Sequence, residues 1–152
     1  MITSVDITNR NQLRDLLQNL EPGTVPLWGK MNARQMVEHL VDQVEYTNGK
    51  KIPFCDFPAD EAERAKREMF LTNPDIPKNL FLSHLPEHFV YTSLEAAIEQ
   101  FMLELDAFDE YFETAGATAI HGAYGPMNYA EWIFWHNKHF THHFKQFGLI
   151  AE

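Results

Sequence analysis

Asn128 offers a helix cap with Glu131 three residues on, Gly148 supplies a stop, and the aromatic and histidine residues between them continue a helical pattern. A helix of that length dictates which side chains share a face. Four of the eight histidines fall within residues 136–143, where an average window of eight residues would hold about 0.4. With His139 set at zero, His143 lies at about +40°, Gln146 at about −20°, Trp132 at about +20°, His136 at about +60° and His142 at about −60°. His139, His143, Gln146 and Trp132 therefore share a face. Phe140, Phe144, Phe147 and Ile133 fall beside it at roughly +80° to +140°, so the histidine pair borders an apolar core and His142 is the more exposed one. One turn separates His139 from His143, roughly 6 Å along the axis, close enough for two imidazoles to share a divalent metal.

Other segments show the same period. Leu13, Leu16, Leu17 and Leu20 trace a first helix that Glu21-Pro22-Gly23 stops. Asn32 and Gln35 cap a second, expected from about Ala33 to Asn48 and closed by Gly49, with Met36, Val37, Leu40, Val41 and Val44 on its apolar side. Thr92-Ser93-Leu94-Glu95 reads as a capping box for a third, whose face runs Leu94, Ala97, Ile98, Phe101, Leu105, Phe108 and Phe112 up to Gly116. The segment from Asn128 is the fourth. Between Lys50 and Tyr91 five prolines punctuate the chain, with one charged helical pattern near Ala59 to Phe70, as in a crossover or a site cover. No stretch shows the sustained alternation of a half-buried strand. The expected fold is all-α, an up-down four-helix bundle with a long crossover connection between helices two and three, in a single domain over residues 1–152.

Charge narrows the function classes. A formal net charge of −10, from 12 basic against 22 acidic residues, repels a phosphate backbone and an anionic membrane alike, so neither nucleic acid nor membrane is an expected partner. Without a signal-like start or eighteen successive apolar residues, a cytoplasmic location is expected. Cys55 is the single cysteine, which leaves any metal to His with Asp, Glu or water. It reads as a passive residue.

The second helix offers the third ligand, because Glu38-His39-Leu40 sets an imidazole beside an apolar run that also faces the interior. His39, His139 and His143 are the candidate metal ligands. Three neutral imidazoles leave positions open on Zn²⁺, Ni²⁺ or Fe²⁺; the ion lowers the pKa of bound water from about 15.7 towards about 7, or activates a thiolate instead. Zn²⁺ is the first choice as a common occupant of three-histidine sites. Asp42, one turn after His39, and Glu131, two turns before His139, are candidates for orienting a ligand or moving a proton, alongside the alternative of surface or capping carboxylates, and Gln146 is a third candidate for the catalytic machinery. His136 and His142 read as bystanders, Trp132 and Trp135 as packing. His121, His84 and His88 fall in loops, His121 with a claim to the site rim.

The blocks Trp28-Gly29-Lys30-Met31-Asn32-Ala33-Arg34-Gln35-Met36-Val37-Glu38-His39-Leu40, His121-Gly122-Ala123-Tyr124-Gly125, Glu131-Trp132 and His139-Phe140-Thr141-His142-His143-Phe144-Lys145-Gln146-Phe147-Gly148 resemble the DinB-like (YfiT-like) superfamily, and more closely a branch without an assigned function. The resemblance spans Trp28 to Gly148, with the middle matched only in helical layout. It departs at Gly122, where the branch often has proline after the histidine. It implies a four-helix bundle holding a divalent metal on one histidine of the second helix and two of the fourth, here His39, His139 and His143, with Gln146 three residues after the last ligand. Relatives include metal-dependent hydrolases and transferases acting on low-molecular-weight thiols such as bacillithiol or mycothiol, and many pair into homodimers.

Three functions follow as expectations. The first is a metal-dependent hydrolase acting on a small-molecule substrate through metal-activated water. The second is a thiol S-transferase on the same ion, and the third a non-catalytic metal-binding, stress-associated module. No separate organic cofactor is expected.

Overall fold

A computed structural model describes residues 1–79 and 85–152. Helices dominate: α1 (Arg10–Leu17), α2 (Ala33–Glu45), α3 (Ala59–Thr72), α4 (Leu94–Tyr111) and α5 (Tyr129–Gln146), with a small antiparallel ribbon of β1 (Ala119–His121) and β2 (Gly125–Met127) before the last helix. His84 lies outside the described residues.

Local chemistry accounts for the helix starts. The side chain of Asn32 accepts from the Gln35 amide while Gln35 accepts from the Asn32 amide, and Asn128 and Glu131 repeat this reciprocal box at α5. At α4 the cap is Ser93, whose hydroxyl accepts from the Ala96 amide, so the expected box opening at Thr92 is displaced by one residue and Glu95 sits in the first turn instead. The second helix stops at Glu45, short of Asn48. Thr47 lies just past it, fully buried, with its hydroxyl donating 2.8 Å to the Val44 carbonyl, a local bond that competes with the helical ladder.

The ribbon corrects the expectation of a strandless chain. Ala119 pairs with Met127 and His121 with Gly125, and the connection returns at Gly125 with φ +70, a left-handed conformation that glycine adopts without strain. Three residues per strand are too few for a visible alternation. The indole N–H of Trp132 ties the ribbon to α5 by donating 2.9 Å to the Ala119 carbonyl, and α3 packs on β2. Phe70 of α3 meets Phe134 of α5 with ring centres 4.9 Å apart.

One continuous core draws on α1, α2, α4 and α5. Leu13, Met36, Leu40, Phe101, Phe108, Phe140 and Phe144 are fully buried in it, with α2 and α4 in the most extensive contact and Phe101 set edge-on to Phe140 at 5.5 Å. At roughly 1.5–3 kcal/mol per buried large apolar side chain, this core is what orients α2 and α5 towards each other. The N-terminal segment is fastened across α5, where the Val5 amide donates to the Thr141 hydroxyl (3.0 Å) and the Ile7 amide to the Asn137 side-chain Oδ1 (2.8 Å). Glu104, fully buried on α4, is met by Lys50, Asn48 and Gln100, which pins the chain leaving α2 onto α4. No helix among the described residues is long and apolar enough to cross a membrane.

Candidate metal centre

His39 comes from the middle of α2, three residues after the buried Met36 and one before the buried Leu40, so core packing turns its ring towards α5. His139 and His143 come from α5 on either side of the buried Phe140. The three imidazoles meet. Nε2 of His139 lies 3.2 Å from Nε2 of His39 and 3.0 Å from Nε2 of His143, and the three rings offer ligand nitrogens all within 4.8 Å of one another. A metal with bonds of 2.0–2.1 Å requires its donors about 3.3 Å apart at a tetrahedral angle and about 2.9 Å apart at a right angle. The two approaches fall within that range.

Hydrogen bonding tests whether the nitrogens are donors or lone pairs. Gln146 Nε2 donates 3.0 Å to the Trp28 carbonyl, which can only accept, so the amide oxygen is the atom that faces His143, 2.8 Å from its Nδ1. His143 therefore carries its proton on Nδ1 and turns the Nε2 lone pair towards His139. A neutral imidazole nitrogen has a single in-plane direction, so His139 Nε2 cannot make a linear bond to both neighbours. A cation at the meeting point could accept a lone pair from each of the three rings. His139 Nδ1, by contrast, is buried without a hydrogen-bond partner among the described residues.

Burial keeps the rings neutral. It pushes the His139 pKa well below the usual histidine range, reinforced by the neighbouring His143 and His39, and pushes His143 down to about 3. The pKa of His39 is also lowered by burial, with the charge of Asp42 opposing. Neutral imidazole is the form that ligates. Among the described residues, these three are the His, Cys, Asp or Glu side chains that come together as potential ligands.

The other sequence candidates separate. Gln146 orients His143. Asp42 exerts its charge on His39 but pairs with Lys51. Glu131 is spent on the α5 cap and on Lys66, 3.2 Å away. His121 accepts from the Ala123 amide (3.0 Å), stacks on Tyr124 and stands edge-on to Trp135 at 4.7 Å; Trp135 in turn lies 6.2 Å from the His139 ring. It is one ring removed from the centre, with a pKa pushed down to about 4 by burial. His136 is a core residue, 1% exposed, with Nε2 3.1 Å from the Thr47 hydroxyl. His142, expected to be exposed, is half-buried against Trp28, ring centres 5.6 Å apart. His88 takes no part in the group. Cys55 is half-buried and also outside it.

The role of Trp28 is the part that sequence reasoning missed. Its contribution is a backbone carbonyl from a loop, which leaves no side-chain signature. A cleft of about 690 Å³ lies along α5, lined by Trp28, Lys78, Lys138, His142 and Lys145 among others, and by none of the three converging histidines. The three histidines that could hold a metal ion lie outside that cleft. Compared with protein-family models, with curated proteins and with solved structures, the chain matches none.

Proposed function

We propose that the chain is a DinB-like four-helix bundle that binds a divalent metal ion on His39, His139 and His143 and hydrolyses a small substrate through metal-activated water. In this arrangement α1, α2, α4 and α5 form the bundle, and the connection carrying α3 is the crossover. The observation that carries the reading is the approach of three Nε2 atoms, two contacts at 3.0 and 3.2 Å, contributed by two helices.

Zn²⁺ is the first candidate, and the same imidazole set suits Ni²⁺ or Fe²⁺. When bound, such an ion supplies a Lewis acid that brings the pKa of water from about 15.7 towards about 7. The residues of the chain do the rest. Burial holds the imidazoles neutral, Gln146 fixes the tautomer of His143, and three imidazole donors would leave coordination positions for water and substrate.

The test is metal analysis of protein purified without chelator, followed by ester, amide and thiol-conjugation assays on the wild type and His139→Ala. Metal-dependent ester or amide cleavage that disappears with His139→Ala supports hydrolysis. Loss of metal in the variant with no change in any hydrolytic rate overturns it, and thiol conjugation in its place moves the chain to the transferase class.

A further inference from the structure

The side-chain amide of Gln146 makes one hydrogen bond at each end. Its Oε1 faces His143 Nδ1 at 2.8 Å and its Nε2 donates to the Trp28 carbonyl at 3.0 Å. An amide has one acceptor end and one donor end, so both bonds hold together only while His143 carries its proton on Nδ1. The opposite tautomer, with the proton on Nε2 aimed at His139 Nε2 only 3.0 Å away, turns Nδ1 into an acceptor. Gln146 must then rotate its NH₂ towards His143, which sets its carbonyl oxygen against the carbonyl oxygen of Trp28. Neither can donate, and the contact to Trp28 is lost.

A metal on Nε2 excludes that second tautomer, because the nitrogen that ligates cannot also bear a proton. We infer that metal occupancy at His143 is transmitted through Gln146 to the loop of residues 24–31, locking Trp28 in place when the ion is bound and releasing it when the ion leaves. The inference rests on the proposed metal centre and concerns its regulation. Ligand binding biases a two-state element by discriminating between its states, and here the two states differ by a tautomer and an amide rotation.

The loop is built for this contact. Leu27 donates 2.7 Å to the backbone carbonyl of Gln146, a bond indifferent to the side-chain rotation, so the loop keeps a pivot at Leu27 while Trp28 is held or freed. Gly29 has φ +83, and a Cβ there would stand 2.6 Å from Gln146 Nε2, so the backbone approaches the amide only because this residue is glycine. Trp28 is also a wall of the 690 Å³ cleft, with its ring against His142 and Lys78 Nζ 4.2 Å above its centre. Release of Trp28 would therefore change the shape of a cleft that none of the three histidines lines.

Amide hydrogen exchange of residues 24–31, measured on the whole chain with and without Zn²⁺, tests this, with bound zinc quantified separately by equilibrium dialysis. In the wild type, Zn²⁺ should slow exchange in the loop about fivefold, the population change expected for one neutral hydrogen bond. Gly29→Ala, which displaces the Gln146 amide and removes no ligand, should still bind one zinc yet lose the slowing. Gln146→Glu, whose carboxylate accepts from His143 but cannot donate to Trp28, should lose it too. Circular dichroism verifies that both variants are folded. A wild-type loop that is unaffected while one zinc is bound, or full slowing in folded Gly29→Ala, overturns the switch and leaves the metal centre standing. A wild type that binds no zinc overturns both.

Discussion

Nε2 of His139 lies 3.0 Å from Nε2 of His143, one helical turn away, with the His143 proton held on the opposite nitrogen by Gln146. Two lone-pair-bearing nitrogens brought this close by helix geometry gain from a shared cation, and an ion bound only by the folded chain stabilises it. Free Zn²⁺ at one hundred times its dissociation constant should add about 2.7 kcal/mol, or a rise in Tm of roughly 5–10 °C for a domain of this size. Thermal unfolding with Zn²⁺ and with chelator measures it. His143→Ala should erase the difference, and a Tm indifferent to zinc in the wild type would count against the site.

Acid should destabilise the metal-free protein through its buried histidines. Burial pushes His136 down to about 3 and His121 to about 4, against about 6.5 in an unfolded chain. A folded-state value below the unfolded one means that the unfolded chain takes up a proton that the folded chain refuses. The contribution is thus complete above about pH 6.5 and is lost as pH falls towards the folded-state values, at about 1.4 kcal/mol per pH unit for each such group. Urea unfolding of chelated protein between pH 7 and pH 4.5 should give this slope, reduced by about one proton in His136→Gln. An unchanged slope in that variant would mean that His136 is not buried as a neutral ring.

Glu131 should behave as a cap and not as a proton carrier. Its carboxylate accepts from the Asn128 amide at 3.0 Å while Asn128 accepts from Glu131 at 2.9 Å. Asn128→Ala should cost about 0.5–2 kcal/mol in chemical denaturation. Glutamine serves the same position in the α2 cap, so Glu131→Gln should keep stability within about 0.5 kcal/mol and leave metal affinity, and the rate of any hydrolysis found in the wild type, unchanged. A large fall in turnover with stability intact would return Glu131 to the chemistry.

The core between α4 and α5 should tolerate truncation poorly. Phe140, between His139 and His143 in the sequence of α5, is fully buried and packs edge-on against Phe101 at 5.5 Å. Phe140→Ala should destabilise by about 3–5 kcal/mol and Phe140→Leu by much less, as read by urea denaturation. Similar small losses from both would place the ring outside the packed core.

What could be read from residue order alone follows from the range of the interactions involved. Apolar period and Asn caps lie within a few residues of what they specify, so α2 and α5 were legible close to their true starts, and with them the face shared by His139, His143 and Gln146. His39 was legible because the apolar run around it has only one direction to face. The ribbon was not, since Ala119–His121 and Gly125–Met127 are held by each other and by the indole of Trp132 instead of by an internal pattern. His136 looked like a spare ring because its partner, Thr47, lies 89 residues away on the chain leaving α2. The tie from Gln146 to Trp28 spans 118 residues and ends on a carbonyl that every residue type possesses.

X-ray absorption at the zinc edge, on protein loaded with one equivalent of Zn²⁺, reads the first coordination sphere without reference to any substrate. Three imidazoles on one ion, with metal–nitrogen distances of about 2.0–2.1 Å and at least one further light-atom ligand, are the expected result, falling to two imidazoles or to no bound zinc in His39→Ala. A wild-type spectrum with fewer than three imidazoles, or one that His39→Ala leaves unaltered, would contradict a metal held between α2 and α5.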